Sequence, residues 1–345
     1  MRGALLVLLG ATTGCAATAA DAGARPLAWQ VQASGCHASL RGLSVVDEAI
    51  AWASGSDGTF LRTVDGGRSW HCGRVPGAEG LDFRDVQAFG AERALLLSAG
   101  TPARMFLTED GGASFVEVYA NDAGGVFFDS VAFGDDAHGL AFSDPVDGAF
   151  LVVRTTDGGR TWSKVPAASL PAPQDGEAGF AASGTCLAML DAAHAWIGTG
   201  GGAAARVLRT TDGGRSWTAV PTPLRSGAAS TGIFSLAFRD AQHGVAVGGD
   251  YQQPELRGGH AARSDDGGRS WQPIEPGPRG FRSCVAHVAA RTWVAVGTSG
   301  ADVSFDDGRH WQPLGDVGYH AVAFAAGGSG WAVGAGGRIA HLAPR

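Results

Sequence analysis

Short apolar segments alternate with polar, glycine-rich turns along most of the chain. SVAF (130–133), SLAF (235–238) and AVAF (321–324) are apolar runs of one type, and a second type is represented by VAVGG (245–249). A polar turn separates each run of the first type from the run that follows it. Segments this short, bounded by Gly and Asp, are typical of β-strands joined by tight turns. The pattern therefore predicts an all-β fold.

The strand pattern repeats around one octapeptide that ends in Trp or Phe. Its copies are TVDGGRSW (63–70), TTDGGRTW (155–162), TTDGGRSW (210–217), SDDGGRSW (264–271) and the looser TEDGGASF (108–115) and SFDDGRHW (304–311). Measured between their aspartates, consecutive copies are 40 to 55 residues apart. This period suits a propeller blade of four strands, with the octapeptide between the third and fourth strands.

The two ends of the chain determine the number of blades. Six octapeptides mark six blades, and residues 319–342 contain three more strands with no octapeptide after them. The segment AWQVQ (28–32) has the character of a missing fourth strand. We therefore predict a monomeric, seven-bladed β-propeller over residues 27–343 whose last blade is closed by the N-terminal strand. Such closure leaves no free sheet edge.

We expect the octapeptide to stabilise a hairpin. Its paired glycines supply positive φ angles, and its Asp carboxylate can accept backbone N–H groups of the turn. Calcium binding is not indicated, because no further series of carboxylates follows. The aspartates with this predicted structural role are Asp65, Asp110, Asp157, Asp212, Asp266 and Asp306.

The octapeptide, S/T-x-D-x-G-x-x-W, resembles the Asp-box, or bacterial neuraminidase (BNR) repeat. The larger unit, seen in residues 50–70 and in GWAVGAGGRIAHL (330–342), is similar to the photosystem II stability/assembly factor family. The resemblance covers essentially the whole chain after its N-terminal segment and implies a propeller. Members of that family in photosynthetic cells are assembly chaperones that bind membrane-protein intermediates. The resemblance thus implies a binding scaffold, here in a relative from a non-photosynthetic bacterium.

The first twenty residues are predicted to be a secretory signal. Arg2 precedes the apolar run ALLVLLGA (4–11), which is too short to span a membrane. TTGC, which ends at Cys15, resembles a lipoprotein box, whereas ATA (17–19) suits an ordinary signal peptidase. Both routes stay open. Either one predicts an exported protein, located in the periplasm or held by a lipid anchor at the periplasmic membrane surface.

Charge and cysteine content restrict the chemistry. A formal net charge of −7 argues against nucleic acid as a partner class. In an oxidising compartment Cys36 and Cys72 are the candidate disulfide. Cys186 and Cys284 stand at equivalent positions of blades that are not neighbours, so we expect them to be buried packing residues. No Cys/His cluster has metal-ligand spacing and no dinucleotide motif opens a helix, so neither a metal nor a cofactor is predicted.

A ligand is expected on the face opposite the octapeptides, around the channel mouth, where loops 164–185 and 248–263 are long. Strand alignment brings one set of residues to comparable positions near the start of the innermost strands, namely Arg41, Arg84, Asp129, Thr185, Ser283 and His320. One hypothesis is an arginine-lined mouth that holds an anionic group. The other is a solvated scatter of arginines balanced by loop acids. The predicted ligand or partner face comprises Arg41, Arg84, Arg225, Tyr251, Arg257, Arg279, Arg282, Tyr319 and His320.

The sequence favours a binding or assembly scaffold without catalysis, with an envelope protein or a glycan as partner. The alternative is a glycoside hydrolase, sialidase-like or of another Asp-box type, with Asp129 and Asp250 as its acidic pair. The sialidase signature is absent, because ARPL (24–27) stands near the expected Phe-Arg-Ile-Pro motif. A carboxylate pair separated by about 5–10 Å at the channel mouth would favour the hydrolase, and a broad, carboxylate-poor, arginine-lined face would favour binding.

Overall fold

The computed structural model describes residues 27–344. This range contains 28 β-strands and two short 3-10 helices. The strands form seven four-stranded antiparallel sheets, which are the blades of a propeller. The predicted all-β, seven-bladed fold is confirmed. No helix within this range is long and apolar enough to cross a membrane. The predicted signal, with Cys15, lies outside the described residues.

Blades 1 to 6 each consist of four consecutive strands, ordered from the channel outward. Blade 1 contains β2 (Leu40–Val45), β3 (Ala51–Gly55), β4 (Thr59–Thr63) and β5 (His71–Arg74). Blade 2 contains β6 (Asp82–Ala88), β7 (Ala94–Ala99), β8 (Ala103–Thr108) and β9 (Val116–Asn121). Blade 3 contains β10 (Phe128–Phe133), β11 (Gly139–Val146), β12 (Ala149–Thr155) and β13 (Ser163–Lys164). Blade 4 contains β14 (Leu187–Met189), β15 (Ala195–Gly198), β16 (Arg206–Thr210) and β17 (Thr218–Pro221). Blade 5 contains β18 (Thr231–Phe238), β19 (Gly244–Asp250), β20 (Ala261–Ser264) and β21 (Gln272–Pro273). Blade 6 contains β22 (Cys284–Ala289), β23 (Thr292–Gly297), β24 (Gly300–Ser304) and β25 (Gln312–Gly315). The 3-10 helices are Ala167–Ser169 and Ala335–Gly337.

Blade 7 combines both ends of the described chain. It contains β26 (Ala321–Phe324), β27 (Gly330–Val333) and β28 (Ile339–Pro344), and its outermost strand is β1 (Leu27–Gln32), which pairs antiparallel with β28. Gln32 Oε1 accepts the indole N–H of Trp70 in blade 1 and of Trp331 in blade 7, each at 3.0 Å. The predicted closure is present, and a single amide side chain joins the first blade to the last.

Neighbouring innermost strands are joined by side chains as well as by apolar contacts. These strands (β2, β6, β10, β14, β18, β22 and β26) contact one another in a ring. Asp85 of blade 2 is buried, and its Oδ2 accepts the backbone N–H of Val131 in blade 3 at 2.7 Å. Likewise, Ser235 Oγ of blade 5 accepts the N–H of Val285 in blade 6 at 2.9 Å. Polar side chains are thus used between blades, where the ladders of separate sheets cannot satisfy these backbone groups.

The octapeptides close the hairpins between third and fourth strands. In the copy at 264–271, Asp266 accepts hydrogen bonds of 2.6–3.0 Å from Ser264 Oγ, Ser270 Oγ and the N–H groups of Arg269 and Ser270. The same Ser/Thr–Asp contact is present in the other five copies. In the first copy, the side-chain and backbone hydrogen bonds from Ser69 lower the pKa of Asp65 to about 2. These carboxylates are occupied within their own turns.

Asp266→Ala is expected to lower the free energy of unfolding by about 1–3 kcal/mol, because it leaves the donors of the turn without their acceptor. The matched control is Asp265→Ala in the same turn. Asp265 contacts Arg263 and Arg309 at the surface, so its loss should cost less than about 1 kcal/mol. Urea denaturation of both variants measures the difference. Equal destabilisation by the two substitutions would contradict the structural role of the octapeptide aspartate.

All four cysteines within the described residues are free thiols. Cys186 and Cys284 are buried, and Cys284 Sγ lies 3.4 Å from the backbone N of Val322 in the next blade, as expected of a packing residue. Burial and the neighbouring Cys36 thiol raise the pKa of Cys72 to about 12. The two thiols are neighbours, but the predicted Cys36–Cys72 bond is not formed in the structure. Their oxidation stays a prediction.

Candidate functional site

A cavity of about 370 Å³ lies at the channel mouth on the face opposite the octapeptides. We call it the mouth cavity. Its polar and charged lining includes Arg41, Arg84, Asp129, Asp144, Tyr251, Ser283 and His320. Innermost strands, or the residues just before them, contribute from every blade except blade 4. The alignment made from sequence therefore brought together residues that do share one cavity.

β-Bulges place four of these side chains. Strand pairing skips Arg41 in β2, Arg84 in β6, Asp129 in β10 and Phe234 in β18. A bulge leaves its extra residue unpaired and turns the side chain away from the regular alternation of the strand. All four skipped residues line the mouth cavity. The repeated bulge is thus the local device that directs side chains of different blades into one recess.

The loop between blades 3 and 4 crosses the channel mouth. The backbone carbonyls of Ala181 and Ala182 accept hydrogen bonds from Arg84 Nη1 at 3.4 Å and Arg41 Nη1 at 3.3 Å. Both arginines belong to other blades, so the chain between residues 179 and 184, here called the crossing segment, spans the opening. The sequence predicted a long loop on this face but gave no sign that it crosses the channel.

Buried polar contacts fix the crossing segment at both ends. Before it, Glu177 is ion-paired with Arg206 and accepts the hydroxyl of Thr199 at 2.6 Å. At its other end, Ser183 Oγ donates to the carbonyl of Ser283 in blade 6 at 2.8 Å. A buried ion pair with further hydrogen bonds keeps its geometry, because breaking it would leave a buried charge without a partner. The mouth cavity is therefore bounded by a fixed segment of the chain.

One side of the mouth cavity is an aromatic wall made of Phe180, Phe234, Tyr251 and Phe281, and Phe127 lines the cavity beside Arg84. Phe180 stacks on Phe234 with ring centroids 3.8 Å apart, and Phe281 meets Phe234 edge-on at 4.7 Å. Tyr251 stands at the rim and is 49% exposed. Sequence analysis identified Tyr251 and missed the phenylalanines. The position of Phe234, directly before SLAF, was the available signal, because it is equivalent to Asp129 before SVAF.

Asp129 and Asp144 form an acidic pair in the mouth cavity, with their carboxyl groups in contact. Asp129 is 1% exposed and accepts no hydrogen bond from the described residues, whereas Asp144 accepts the N–H of Gly179 at 2.7 Å. Burial and then the charge of Asp144 raise the pKa of Asp129 well above its usual range. Burial raises the pKa of Asp144 to about 6. Both shifts favour the protonated form and the larger one is on Asp129, so a proton on the pair is held by Asp129, next to the carboxylate of Asp144.

Basic groups line the same cavity. Arg84 is ion-paired with Asp82 at 2.7 Å, while Arg41 has no carboxylate partner among residues 27–344. His320 Nδ1 lies 2.9 Å from the carbonyl of Leu40, which fixes this nitrogen as the N–H donor. Burial and then the charge of Arg41 lower the pKa of His320, so its imidazole is neutral at neutral pH. Arg41 is consequently the cavity cation that lacks a counter-ion.

Two arginines predicted for the mouth are used inside blade 6. Arg282 is 0% exposed and donates Nε and Nη2 to Asp302 Oδ2. Arg279 donates to Asp302 at 2.9 Å and to Asp316 at 2.8 Å. The prediction that Arg282 lies on the ligand face is wrong, because Arg282 and Arg279 both bind the buried carboxylate of Asp302 in β24. An arginine-lined mouth is thereby reduced to Arg41 and Arg84.

Other predicted site residues also lie outside the cavity lining. Tyr319 is buried and packs on Trp29 with ring centroids 5.0 Å apart, so its assignment to the ligand face is wrong. Arg225 donates to the carbonyl of Gly258 at 3.2 Å, and Arg257 is exposed on the same loop. Thr185 lies deeper, where its hydroxyl donates to Ser235 Oγ at 2.7 Å. These residues lie in separate parts of the fold, and none of them lines the mouth cavity.

The proposed pairing of Asp129 with Asp250 is replaced by the pairing with Asp144. Asp250 accepts the N–H of Gln252 at 3.0 Å and the amide of Gln253 at 3.2 Å, and it does not line the mouth cavity. Its carboxylate closes the turn that follows β19. Within residues 27–344, no group of three or more His, Cys, Asp or Glu side chains is arranged to hold a metal ion.

No protein-family model and no curated protein matches the chain. Its structure is similar to that of "YCF48 bound to D1 peptide", with a TM-score of 0.66, 17% identity and coverage of 95% of this chain and 100% of that chain. For YCF48 from Cyanidioschyzon merolae the TM-score is 0.61, the identity 18% and the coverage 92% and 99%. The GH74 enzyme of Niastella koreensis gives 0.59 and 14%, covering 88% of this chain but 43% of that chain. The resemblance predicted from sequence is confirmed at the level of the fold.

Proposed function

We propose that this chain is a binding module that holds a peptide segment of a partner protein in the mouth cavity. The observation that carries the proposal is the lining of this cavity. An aromatic wall stands beside charged groups of both signs, and all of them are fixed by six blades and the crossing segment. Peptide segments combine apolar side chains with polar and charged groups, and peptide-binding sites concentrate their affinity in a few aromatic and arginine anchors.

Two further observations support a protein partner. The propeller fold is a rigid frame whose function lies in its loops and mouth, and the structure of YCF48 named above holds a D1 peptide. With the predicted signal at residues 1–20, we propose that the protein is exported. Its partner would then be an envelope protein, met in the periplasm or at the membrane surface.

A glycoside hydrolase is the alternative function, and the fold similarity to a GH74 enzyme is the observation that favours it. The acidic pair does not have the spacing of a glycosidase. Carboxyl groups that flank a glycosidic bond stand about 5–10 Å apart, whereas those of Asp129 and Asp144 lie close enough to hydrogen-bond with each other. Hydrolysis of a panel of aryl glycosides, abolished by Asp144→Asn, would favour the hydrolase over the binding module.

Photo-cross-linking from the rim of the cavity tests the proposed function. Benzoylphenylalanine in place of Tyr251 is expected to capture a partner from envelope extract, because this position is 49% exposed beside the aromatic wall. The matched control carries the same group in place of Val116, which is 64% exposed on the outer strand β9. Mass spectrometry then identifies the cross-linked peptide.

The captured peptide should also bind in solution, and Arg41→Gln should weaken that binding by about tenfold through loss of the unpaired cavity cation. Titration calorimetry with the synthetic peptide measures this change. Equal cross-linking yields from positions 251 and 116, or no captured protein from either, would overturn the proposed function.

A further inference from the structure

The acidic pair has hydrogen-bonding capacity that the protein leaves unused. Gly179 N–H occupies one oxygen of Asp144, while neither oxygen of Asp129 accepts a hydrogen bond from the described residues. Buried polar groups in folded proteins are almost always hydrogen-bonded, and a buried acceptor without a donor costs free energy. Both Asp129 oxygens are shielded from solvent, whereas Asp144, which lines the same cavity, is only partly buried, so a ligand reaches the pair through Asp144.

We propose that the acidic pair of Asp129 and Asp144 recognises a primary ammonium group of the bound peptide, supplied by a lysine side chain or by an amino terminus. This inference rests on the proposed function, since it assigns the chemistry of one part of the peptide site. An ammonium group carries three N–H donors and one positive charge. It therefore supplies N–H donors for carboxyl oxygens of the pair that the described residues leave unpaired, and a positive charge that the negative pair attracts.

The surroundings of the pair are built to keep its carboxyl groups at the cavity. A Cβ atom added to Gly179 would lie 2.5 Å from Asp129 Oδ2, so only glycine lets the crossing segment pack directly on this carboxyl. The β10 bulge directs Asp129 into the cavity. Phe180 and Phe234 line the same recess, and aromatic rings add cation–π attraction for an ammonium group.

The other ionisable groups around Asp129 do not satisfy it. On β6, Arg84 is already paired with Asp82, and the Asp85 carboxylate accepts the N–H of Val131. Beneath it, burial and then the charge of Asp129 raise the pKa of the Cys186 thiol, which stays neutral.

On the far blades, His320 is neutral at neutral pH, and Arg41 donates to the carbonyl of Ala182. Arg41 and Arg84 then remain for acceptor groups of the same peptide, such as its carbonyl oxygens. The cavity accordingly offers separate partners for donors and for acceptors.

Binding of an ammonium group has a proton balance that can be measured. In the free pair, burial and the charge of Asp144 favour a proton on Asp129. When R–NH₃⁺ binds against the pair, its positive charge favours the ionised carboxylates, and protons held by the pair leave to solvent. Affinity for the ammonium group should therefore rise with pH through the pKa of Asp144, which is about 6, because the ionised carboxylate attracts the ammonium group.

Two matched pairs of synthetic peptides distinguish the sources of the ammonium group. Acetyl-Phe-Lys-Phe-amide is compared with its norleucine counterpart, and Phe-Ala-Phe-amide with its acetylated form. Titration calorimetry at pH 7.5 in buffers of different ionisation enthalpy measures both affinity and protons released. The α-ammonium group titrates near pH 8 and the lysine group near pH 10, so the amino-terminal probe alone should lose affinity above about pH 8.

We expect the charged member of at least one pair to bind about tenfold more tightly than its neutral counterpart, with release of a large fraction of one proton. Asp129→Asn should remove both the preference and the proton release. The matched control is Asp147→Asn in the turn between β11 and β12 of the same blade, an exposed carboxylate outside the cavity whose φ of 52° asparagine tolerates. This control should change neither quantity.

Equal binding of charged and neutral probes, a preference that survives Asp129→Asn, or no detectable binding by any probe would each overturn the inference. The proposed function has its own readout, which is cross-linking from position 251. If a peptide is captured there while the charged probes show no preference, the ammonium site fails and the binding module stands. If neither experiment succeeds, both proposals fail.

Discussion

Asp302→Ala is expected to lower the free energy of unfolding by about 3–5 kcal/mol, because it leaves Arg282 buried without its carboxylate. The guanidinium of Arg282 is 0% exposed and donates two nitrogen atoms to Asp302, and its other acceptors are the carbonyl of Phe281 and the hydroxyl of Ser299. Neutral oxygens cannot replace the charge of the lost partner. Urea denaturation measures the loss.

The matched control is Asp316→Ala, which removes the other carboxylate on Arg279. Asp316 is 90% exposed, so water replaces it and the cost should be less than about 1 kcal/mol. Comparable losses from the two substitutions would contradict the buried role of the Arg282–Asp302 pair. A large gap between them would explain why Arg282, which from sequence resembles a ligand-binding arginine, is unavailable to a ligand.

Gln32→Leu is expected to lower the free energy of unfolding by about 2–4 kcal/mol, because the indole N–H groups of Trp70 and Trp331 both lose their acceptor. Trp331 is fully buried, so water cannot replace the lost bond. The effect is concentrated where β1 closes blade 7 beside blade 1. Unfolding should therefore begin at this junction, and hydrogen exchange of β28 should accelerate in the variant.

The control for the closure is Gln30→Leu, two residues earlier on the same strand. Gln30 is exposed and makes no side-chain hydrogen bond within residues 27–344, so its replacement should change the free energy of unfolding by less than about 0.5 kcal/mol. Similar exchange rates in both variants would show that closure depends on backbone pairing alone and not on the Gln32 amide.

The mouth cavity shows how one repeated backbone device can bring cationic, acidic and aromatic side chains into one site. Bulges at equivalent positions present Arg41, Arg84, Asp129 and Phe234. Four blades thus direct side chains of three chemical types into the same recess. The resulting cavity combines a cation without a counter-ion, an acidic pair and an aromatic wall, which is a combination suited to a peptide with donors, acceptors and apolar side chains.

The sequence by itself determined the architecture. Octapeptides at a regular spacing, with strands in a constant order between them, were sufficient for seven blades, and AWQVQ (28–32) was sufficient for the closing strand. These features depend on local turn chemistry and on strand length, which are written in neighbouring residues. The same periodicity aligned Arg41, Asp129 and His320, which do share the mouth cavity.

Only the tertiary structure decided which charges face the ligand. From sequence, both Arg282 and Arg41 were predicted to face the ligand. Arg282 is paired with the buried carboxylate of Asp302, whereas Arg41 has no carboxylate partner among residues 27–344. Asp144, not Asp250, meets Asp129, because β10 pairs with β11 in one blade, where Phe128 stands opposite Ser143 and the next residue of each strand is an aspartate. Each pairing lies within a single blade, and both depend on bulges and on burial that the pattern of strands and turns does not record. A charged side chain becomes a site or a structural contact according to the partner that folding places beside it.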